Sequence, residues 1–282
     1  MVKIISDSTC DLSRELLEAY DIAILPLHVH LGEEQYLDGV NITPEELYAW
    51  SDENNNTPKT AAASIAEAMD IYRQYLSAYD EIVVFSISAS MSANYQAMRL
   101  AAQEMECEDR IFVIDSENLS TGIGLLVIEA ALMAKEGKSA REIAVAIEEM
   151  KPKVRASFVV DTLTYLHRGG RCGSVAALAG GVLQLHPKIV VQSGQMDAKK
   201  KYRGKMAKVI LSYVKDMETQ LRAARPERVF ITHSGCGAEE IEAVREYLES
   251  LHVFSEILQT RAGGVISSHC GPGTLGVLFI EG

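Results

Sequence analysis

Three side chains of the sequence could together bind an anion. Thr60 and Ser92 each lie in a turn ahead of a predicted helix, and His269 ends an apolar segment predicted as a strand. Free backbone N–H groups at a helix N-terminus favour an anion, and the Gly-Pro-Gly turn at residues 271–273 allows close approach of backbone to a ligand. Two hydroxyls, helix N-termini and one imidazole could therefore hold a carboxylate or a phosphate without a metal ion.

Two of these residues, Ser92 and His269, also have a simpler explanation. Ser92 could cap the helix that follows it, because serine readily accepts a hydrogen bond from a first-turn amide. His269 could be a core or turn histidine bonded to backbone. Thr60 differs, because Ser64 already is the predicted cap of its helix and leaves the threonine hydroxyl free for another partner. For Ser92 and His269 the sequence alone leaves both explanations open.

Basic side chains are concentrated in two places. Arg171 ends the run at residues 167–171, and Arg203 lies within residues 199–205, which hold four lysines and one arginine. Either run could be a solvated loop or a docking patch for a phosphate or an acidic partner. The whole chain has 27 basic and 39 acidic residues, a net charge of −12, which argues against a nucleic-acid partner because such binding needs a basic face.

Several classes of protein are disfavoured by the motif content. Five widely spaced cysteines without a Cys-x-x-Cys pair argue against a disulfide framework or a zinc site, so no cofactor is predicted. The sequence has no Gly-x-Ser-x-Gly elbow and no P-loop. The longest apolar stretch, residues 119–134, contains Glu129 and is too short to span a bilayer. Together with an N-terminus that is typical of a strand, these features predict a cytoplasmic protein.

The order of predicted elements indicates an α/β fold. Short apolar runs alternate with helix-period segments, a pattern typical of α/β folds with largely parallel sheets. Capping-box patterns begin predicted helices at Thr43, Ser64 and Ser139. A new strand follows residues 150–153, which places the domain boundary between residues 1–153 and 154–282. The predicted strands are 2–6, 22–30, 81–86, 110–114, 156–160, 188–192, 228–232, 255–259 and 276–280.

Taken in order, the motifs of residues 3–280 resemble those of the DegV family. No single motif decides the resemblance, but the ordered set is specific. It consists of Asp7-Ser8-Thr9, Lys59-Thr60, Ser92 with Tyr95-Gln96, Asp115-Ser116, Gly169-Gly170-Arg171 and His269-x-Gly271-Pro272-Gly273.

The resemblance implies a non-enzymatic protein that buries a long-chain fatty acid in a tunnel between two α/β domains. Thr60, Ser92 and His269 match the residues that hold the fatty acid carboxylate. Arg171 and Arg203 match arginines suited to contact an acyl phosphate or a partner. That partner would be a separate fatty acid kinase, to which the protein presents the carboxylate, and a transient contact with a membrane surface is compatible with this role.

Two further functions stay open from the residues alone. One is an enzyme, either a Ser/His-dependent acyl hydrolase or a phosphotransferase that uses His269, because a catalytic triad is defined by geometry that a sequence does not contain. The other is an interaction scaffold that has lost lipid binding, because Ala61, Ala62, Ala63 and Ala93 stand where the family carries other residues. The uncharged segment 173–185 could line a tunnel or belong to an ordinary core.

Overall fold

A computed structural model of the chain describes residues 1–171 and 185–282. The tunnel-lining role predicted for residues 173–185 therefore concerns residues that lie outside the described part, except Leu185, which begins a strand. The described strands are β1 Val2–Asp7, β2 Ile22–Leu25, β3 His28–Leu31, β4 Glu34–Leu37, β5 Lys59–Ala61, β6 Glu81–Ser86, β7 Ile111–Asp115, β8 Val154–Val159, β9 Leu185–Gln192, β10 Gln195–Arg203, β11 Ala224–His233, β12 Glu256–Arg261 and β13 Leu275–Glu281.

The described helices are short to medium in length. None of those within residues 1–171 and 185–282 is long and apolar enough to cross a bilayer. They are α1 Arg14–Ala19, α2 Pro44–Asn54, α3 Ile65–Leu76, α4 Asn94–Glu104, α5 Thr121–Lys135, α6 Ala140–Met150, α7 Thr164–Arg168, α8 Met206–Lys215, α9 Glu218–Arg222, α10 Ala238–Ser250 and α11 Gly264–Cys270.

The first sheet is parallel and has four strands in the order β2-β1-β6-β7. Its central strands β1 and β6 are almost wholly buried, as expected where helices cover both faces of a parallel sheet. The carboxyl ends of β1, β6 and β7 meet at one edge, where ligands commonly bind in open α/β sheets. This confirms the predicted α/β class and, for this four-stranded sheet, the parallel arrangement.

The second sheet has six strands in the order β10-β9-β8-β13-β11-β12, and it is mixed rather than largely parallel. Only β11 and β12 pair in parallel, whereas the other four pairs are antiparallel. One reason is the two-residue turn Ser193-Gly194, in which both residues have positive φ. Such a turn joins antiparallel strands directly, so residues 199–203 belong to the edge strand β10 and not to a loop.

A third, small antiparallel sheet has the order β4-β3-β5 and brings Thr60 to the site. The predicted strand 22–30 is in fact two strands, β2 and β3, separated by Pro26, which lacks the N–H that a central strand needs. Thr60 itself lies in β5, opposite Val29 of β3, although the sequence predicted only a turn there.

Helix α5 lies between the two large sheets and ties them together. It contacts β1 and β6 of the first sheet and β8 and β13 of the second, and 11 of its 15 residues are buried. An apolar helix without a polar face is expected in such a position. The predicted capping boxes that begin α2, α3 and α6 are all formed.

The largest apolar cluster runs without interruption from one large sheet to the other. It includes Ile4 and Phe85 of the first sheet, Leu126 of α5, and Phe158 and Leu278 of the second sheet. The two halves of the chain therefore share one core. The division at residue 153, where a 3₁₀ turn precedes β8, stays a prediction.

Candidate ligand-binding site

A cavity of about 160 Å³ lies between the two halves of the chain, at the carboxyl edge of the first sheet. Most of the side chains around it are apolar, and three hydroxyl- or imidazole-bearing residues and one arginine interrupt them. The described residues that line it are Leu27, Thr60, Ala61, Ala62, Ile87, Met91, Ser92, Ala93, Leu119, Leu166, Arg171, Met196, Val265, Ile266, His269 and Cys270.

His269 belongs to a helix, so its predicted place at the end of a strand is wrong. It occupies the last turn of α11, which ends at Cys270 and is followed by the cap residue Gly271 with φ 75°. The apolar residues Val265 and Ile266 made this segment resemble a strand, but seven residues are too few for the helical period to stand out. The helix directs His269 towards β5, where its Nε2 lies 2.8 Å from Thr60 Oγ1, 209 residues away in sequence.

The proton on His269 is assigned by the contacts of its two ring nitrogens. Nδ1 is buried and has no hydrogen-bond partner among the described residues, whereas Nε2 faces Thr60. Burial, with the nearby positive charge of Arg171, lowers the pKa of His269 to about 4, so the ring is neutral at pH 7. A buried N–H without an acceptor is costly, so the proton resides on Nε2 and is donated to Thr60. The hydroxyl hydrogen of Thr60 is then free for a ligand oxygen.

Ser92 also lines the cavity, in the turn ahead of α4. It precedes the cap residue Ala93 of α4 and does not itself occupy the capping position, but its Oγ accepts a hydrogen bond of 3.2 Å from the Asn94 amide. Its hydroxyl hydrogen can therefore be donated into the cavity. The first-turn amides of α4 add a partial positive charge at this point.

Of the two predicted arginines, the structure brings only one to the cavity. Arg171 is exposed at the cavity wall and is held by the carbonyl oxygens of Gly169 at 2.7 Å and Met91 at 3.4 Å. Arg203 is exposed at the end of β10 and does not line this cavity. Thr60, Ser92, His269 and Arg171 thus form one group, with a positive charge beside three hydrogen-bonding side chains.

Two glycines allow helices α7 and α11 to pack closely around the imidazole. A Cβ atom at Gly169, just after α7, would lie 2.4 Å from His269 Nδ1. A Cβ atom at Gly271, just after α11, would lie 2.5 Å from Tyr165 of α7. The Gly169-Gly170-Arg171 and His269-x-Gly271 motifs are therefore two sides of one helix contact, which sequence alone does not indicate.

A second cavity, of about 30 Å³, lies next to the first. Leu119, Ile266 and Cys270 line both cavities, so they form the partition between them. The Cys270 thiol is buried, and burial raises its pKa to about 12, so it is a neutral, unreactive side chain at pH 7.

The arrangement differs from a hydrolase triad. In a triad a carboxylate accepts a hydrogen bond from one nitrogen of the histidine while the other nitrogen faces the nucleophile. In the described part of the chain no carboxylate contacts His269 Nδ1, and its Nε2 faces a threonine. The described residues also contain no cluster of three side chains able to hold a metal ion.

Comparison with known proteins identifies the family. The family model described as "Uncharacterised protein, DegV family" matches residues 1–282. The chain belongs to the DegV family. A DegV domain-containing protein of Caldanaerobacter subterraneus is 33% identical to it, and the alignment covers 99% of each chain.

Solved structures of the DegV family have the same fold. A fatty-acid-binding DegV family protein from Thermus thermophilus has a TM-score of 0.92 and 30% identity, and the match covers 99% of each chain. A stearic-acid-binding protein from Eubacterium ventriosum has a TM-score of 0.86 and 30% identity, over 100% of this chain and 98% of the other. The ligand class that these relatives share is thus a fatty acid.

Sequence reasoning missed most of the apolar wall of this DegV-family chain. Leu27, Leu166 and Met196 line the cavity, but they come from three separate parts of the fold. Periodicity indicates that such residues are buried and does not distinguish a cavity wall from a core. No signal in a single sequence would have selected them.

The lowered pKa of His269 predicts a pH dependence of stability. Because the ring is harder to protonate in the folded chain than in the unfolded chain, its contribution is complete above pH 6.5 and is lost as pH falls towards 4. We expect the parent protein to lose about 2 kcal/mol more than His269→Gln between pH 7 and pH 4. Urea unfolding of both proteins measures this difference, and parallel pH profiles would contradict it.

Proposed function

We propose that this protein binds a long-chain fatty acid whose carboxylate lies in the 160 Å³ cavity and is held by Thr60 and Ser92, with His269 orienting the Thr60 hydroxyl. One observation carries the proposal. The Asn94 amide donates to Ser92 Oγ, and His269 Nε2 lies 2.8 Å from Thr60 Oγ1. With the ring proton assigned to Nε2, both hydroxyls accept a hydrogen bond from the protein, and each has a hydrogen to donate into the cavity. A carboxylate accepts hydrogen bonds and donates none, so it matches two such donors.

The rest of the cavity suits the hydrocarbon tail. Leu27, Ile87, Leu119, Val265 and Ile266 surround the space beyond the polar groups. Burial of each methylene contributes about 0.8 kcal/mol, so the tail supplies most of the affinity and the head group fixes the orientation. The fatty acids bound by relatives from Thermus thermophilus and Eubacterium ventriosum support the same ligand class.

In this proposal the protein is a carrier and not a catalyst, and a separate fatty acid kinase acts on the carboxylate. The exposed guanidinium of Arg171 next to the head-group residues supports such a presentation, because it could stabilise added negative charge. Contact of Arg203 with a partner or an acyl phosphate stays a prediction, as do the cytoplasmic location and a transient membrane contact.

The proposal predicts that Ser92→Ala weakens fatty acid binding without loss of the fold. A hydrogen bond to a charged group contributes about 1.5–3 kcal/mol, so the dissociation constant for palmitic acid should rise about tenfold to a hundredfold. Ser90→Ala is the matched control, because Ser90 is exposed two residues away and does not line the cavity. Lipid extracted from each purified protein is identified by mass spectrometry, and affinity is measured after delipidation.

The possible results of this experiment test the carrier function and the role of Ser92 in the head-group site separately. A parent protein that carries no lipid and takes up no added fatty acid would overturn the carrier function. Equal affinity for fatty acid in the parent protein and in Ser92→Ala would remove Ser92 from the head-group site and leave the ligand class intact.

A further inference from the structure

Three buried aspartates are hydrogen-bonded to segments that carry or adjoin the head-group residues, Thr60, Ser92 and His269, and they do not line the cavity. Asp7, Asp11 and Asp38 are 0%, 5% and 1% exposed, and none is among the described residues of the cavity wall. Burial raises the pKa of each of them. Buried carboxyl groups are costly unless their oxygens are hydrogen-bonded, so the partners of these oxygens indicate what the groups do.

Asp11 and Asp38 hold the start of helix α11. The Gly263 amide donates to Asp11 Oδ1 at 2.8 Å, and the next amide, that of Gly264, donates to Asp38 Oδ1 at 2.6 Å. Both carboxyl groups come from the first half of the chain, more than 220 residues away. These contacts satisfy two amides of a helix start that has no side-chain cap of its own.

The second oxygen of each of these carboxyl groups is also fixed. Ser120 donates to Asp11 Oδ2 at 2.5 Å, and Ser8 donates to Asp38 Oδ2 at 2.8 Å. Neither carboxyl group can rotate without loss of a hydrogen bond. Since α11 has seven residues and is only about 10 Å long, its fixed start determines the place of His269 in its last turn.

Asp7 connects the other two head-group residues. Its Oδ2 accepts hydrogen bonds of 2.8 Å from the Asn94 side chain and from the Ile87 amide. The Asn94 side-chain oxygen accepts in turn from the Ala63 amide at 3.2 Å. Asn94 is the first residue of α4, next to the Ser92 turn, and Ala63 follows β5, which carries Thr60.

We propose that Asp7, Asp11 and Asp38 are the positioning residues of the carboxylate site: Asp11 and Asp38 orient His269 through α11, and Asp7 orients Ser92 and Thr60 through Asn94. This inference rests on the proposed function. Residues 7–11 supply Asp7, Asp11 and Ser8, the partner of Asp38, so this segment and Asp38 together position the site residues from both halves of the chain. These aspartates do not touch the ligand, and they act on head-group recognition and not on tail burial.

The test compares two ligands with the same tail. Palmitic acid and hexadecanol share the hydrocarbon chain, and only the acid has a carboxylate. We expect Asp38→Ala to reduce the ratio of acid affinity to alcohol affinity at least tenfold, with alcohol affinity changed less than twofold. Asp38→Asn keeps an acceptor for the Gly264 amide and should retain most of the ratio. If Asp38→Ala does not fold, the milder change Ser8→Ala should lower the ratio in the same direction.

Glu129→Leu is the control for lost stability, because its partners Arg225 and Arg228 lie outside this network. It should leave the ratio unchanged. A parent protein that binds acid and alcohol equally, or binds neither, would overturn the proposed head-group site. A parent protein that prefers the acid, with an equal preference in Asp38→Ala and Ser8→Ala, would overturn the positioning role alone.

Discussion

Replacement of Glu129 by leucine should lower the free energy of unfolding by about 3–5 kcal/mol, the cost of leaving a buried charge without its partner. Glu129 of α5 forms ion pairs with Arg228 and with Arg225, both on β11. The side chains of Glu129 and Arg228 are each 9% exposed. Among the described residues, loss of the carboxylate leaves the buried Arg228 guanidinium with only the half-exposed Glu256, whose Oε2 lies 3.7 Å from Arg228 Nε.

A matched control uses an ion pair on the surface. Glu18 pairs with Arg14 across one helical turn, and both side chains are largely exposed, so Glu18→Leu should cost less than about 1 kcal/mol. The double variant Glu129→Leu/Arg228→Met should recover much of the loss, because both charges of the buried pair are then absent. Urea unfolding measures all of these proteins. Equal losses for Glu129→Leu and Glu18→Leu would show that the buried pair does not stabilise the fold.

Gly169→Ala is expected to affect both stability and ligand binding. The added Cβ atom would meet His269 Nδ1 at 2.4 Å and the Tyr165 carbonyl oxygen at 3.1 Å, so the ring must move and its bond to Thr60 is lost. Overpacking of this kind costs about 1–3 kcal/mol. We expect that loss in the free energy of unfolding, together with at least tenfold weaker binding of palmitic acid.

Gly170→Ala provides the comparison for this prediction. Gly170 has φ 69°, and no atom lies within 4 Å of the position that an added Cβ would occupy. Alanine there has backbone strain of about 1–2 kcal/mol but no collision with the imidazole, so this variant should retain palmitic acid. Calorimetric binding and thermal unfolding of both variants separate the two effects, and equal ligand loss in both would argue against the steric explanation.

Local signals in the sequence predict helices and strands well where those elements do not depend on distant contacts. The capping boxes at Thr43, Ser64 and Ser139 are formed as expected, because each needs only residues within one turn. The strand β10 was missed, since its lysines and arginine resemble a solvated loop, although the Ser193-Gly194 turn was a usable signal. The sequence predicts a strand end where the short helix α11 lies, because the apolar residues there show no clear period.

The residues of the site were only partly predictable. Thr60, Ser92 and His269 were selected as anion-binding candidates, and the structure places all three at one cavity. The contacts that orient them join positions far apart in the chain, such as Asp38 with Gly264. No local pattern encodes a pairing over that distance, so the sequence alone does not predict the role of these aspartates.

The continuous core through α5 has a consequence for cooperativity. Since one apolar cluster includes residues of both large sheets, neither half can unfold without exposing the face of the other. We therefore expect a single unfolding transition for the whole chain, detected alike by calorimetry and by circular dichroism. A fatty acid bound between the halves would then raise the midpoint of that one transition, so its occupancy would be reported by the melting temperature of the entire protein.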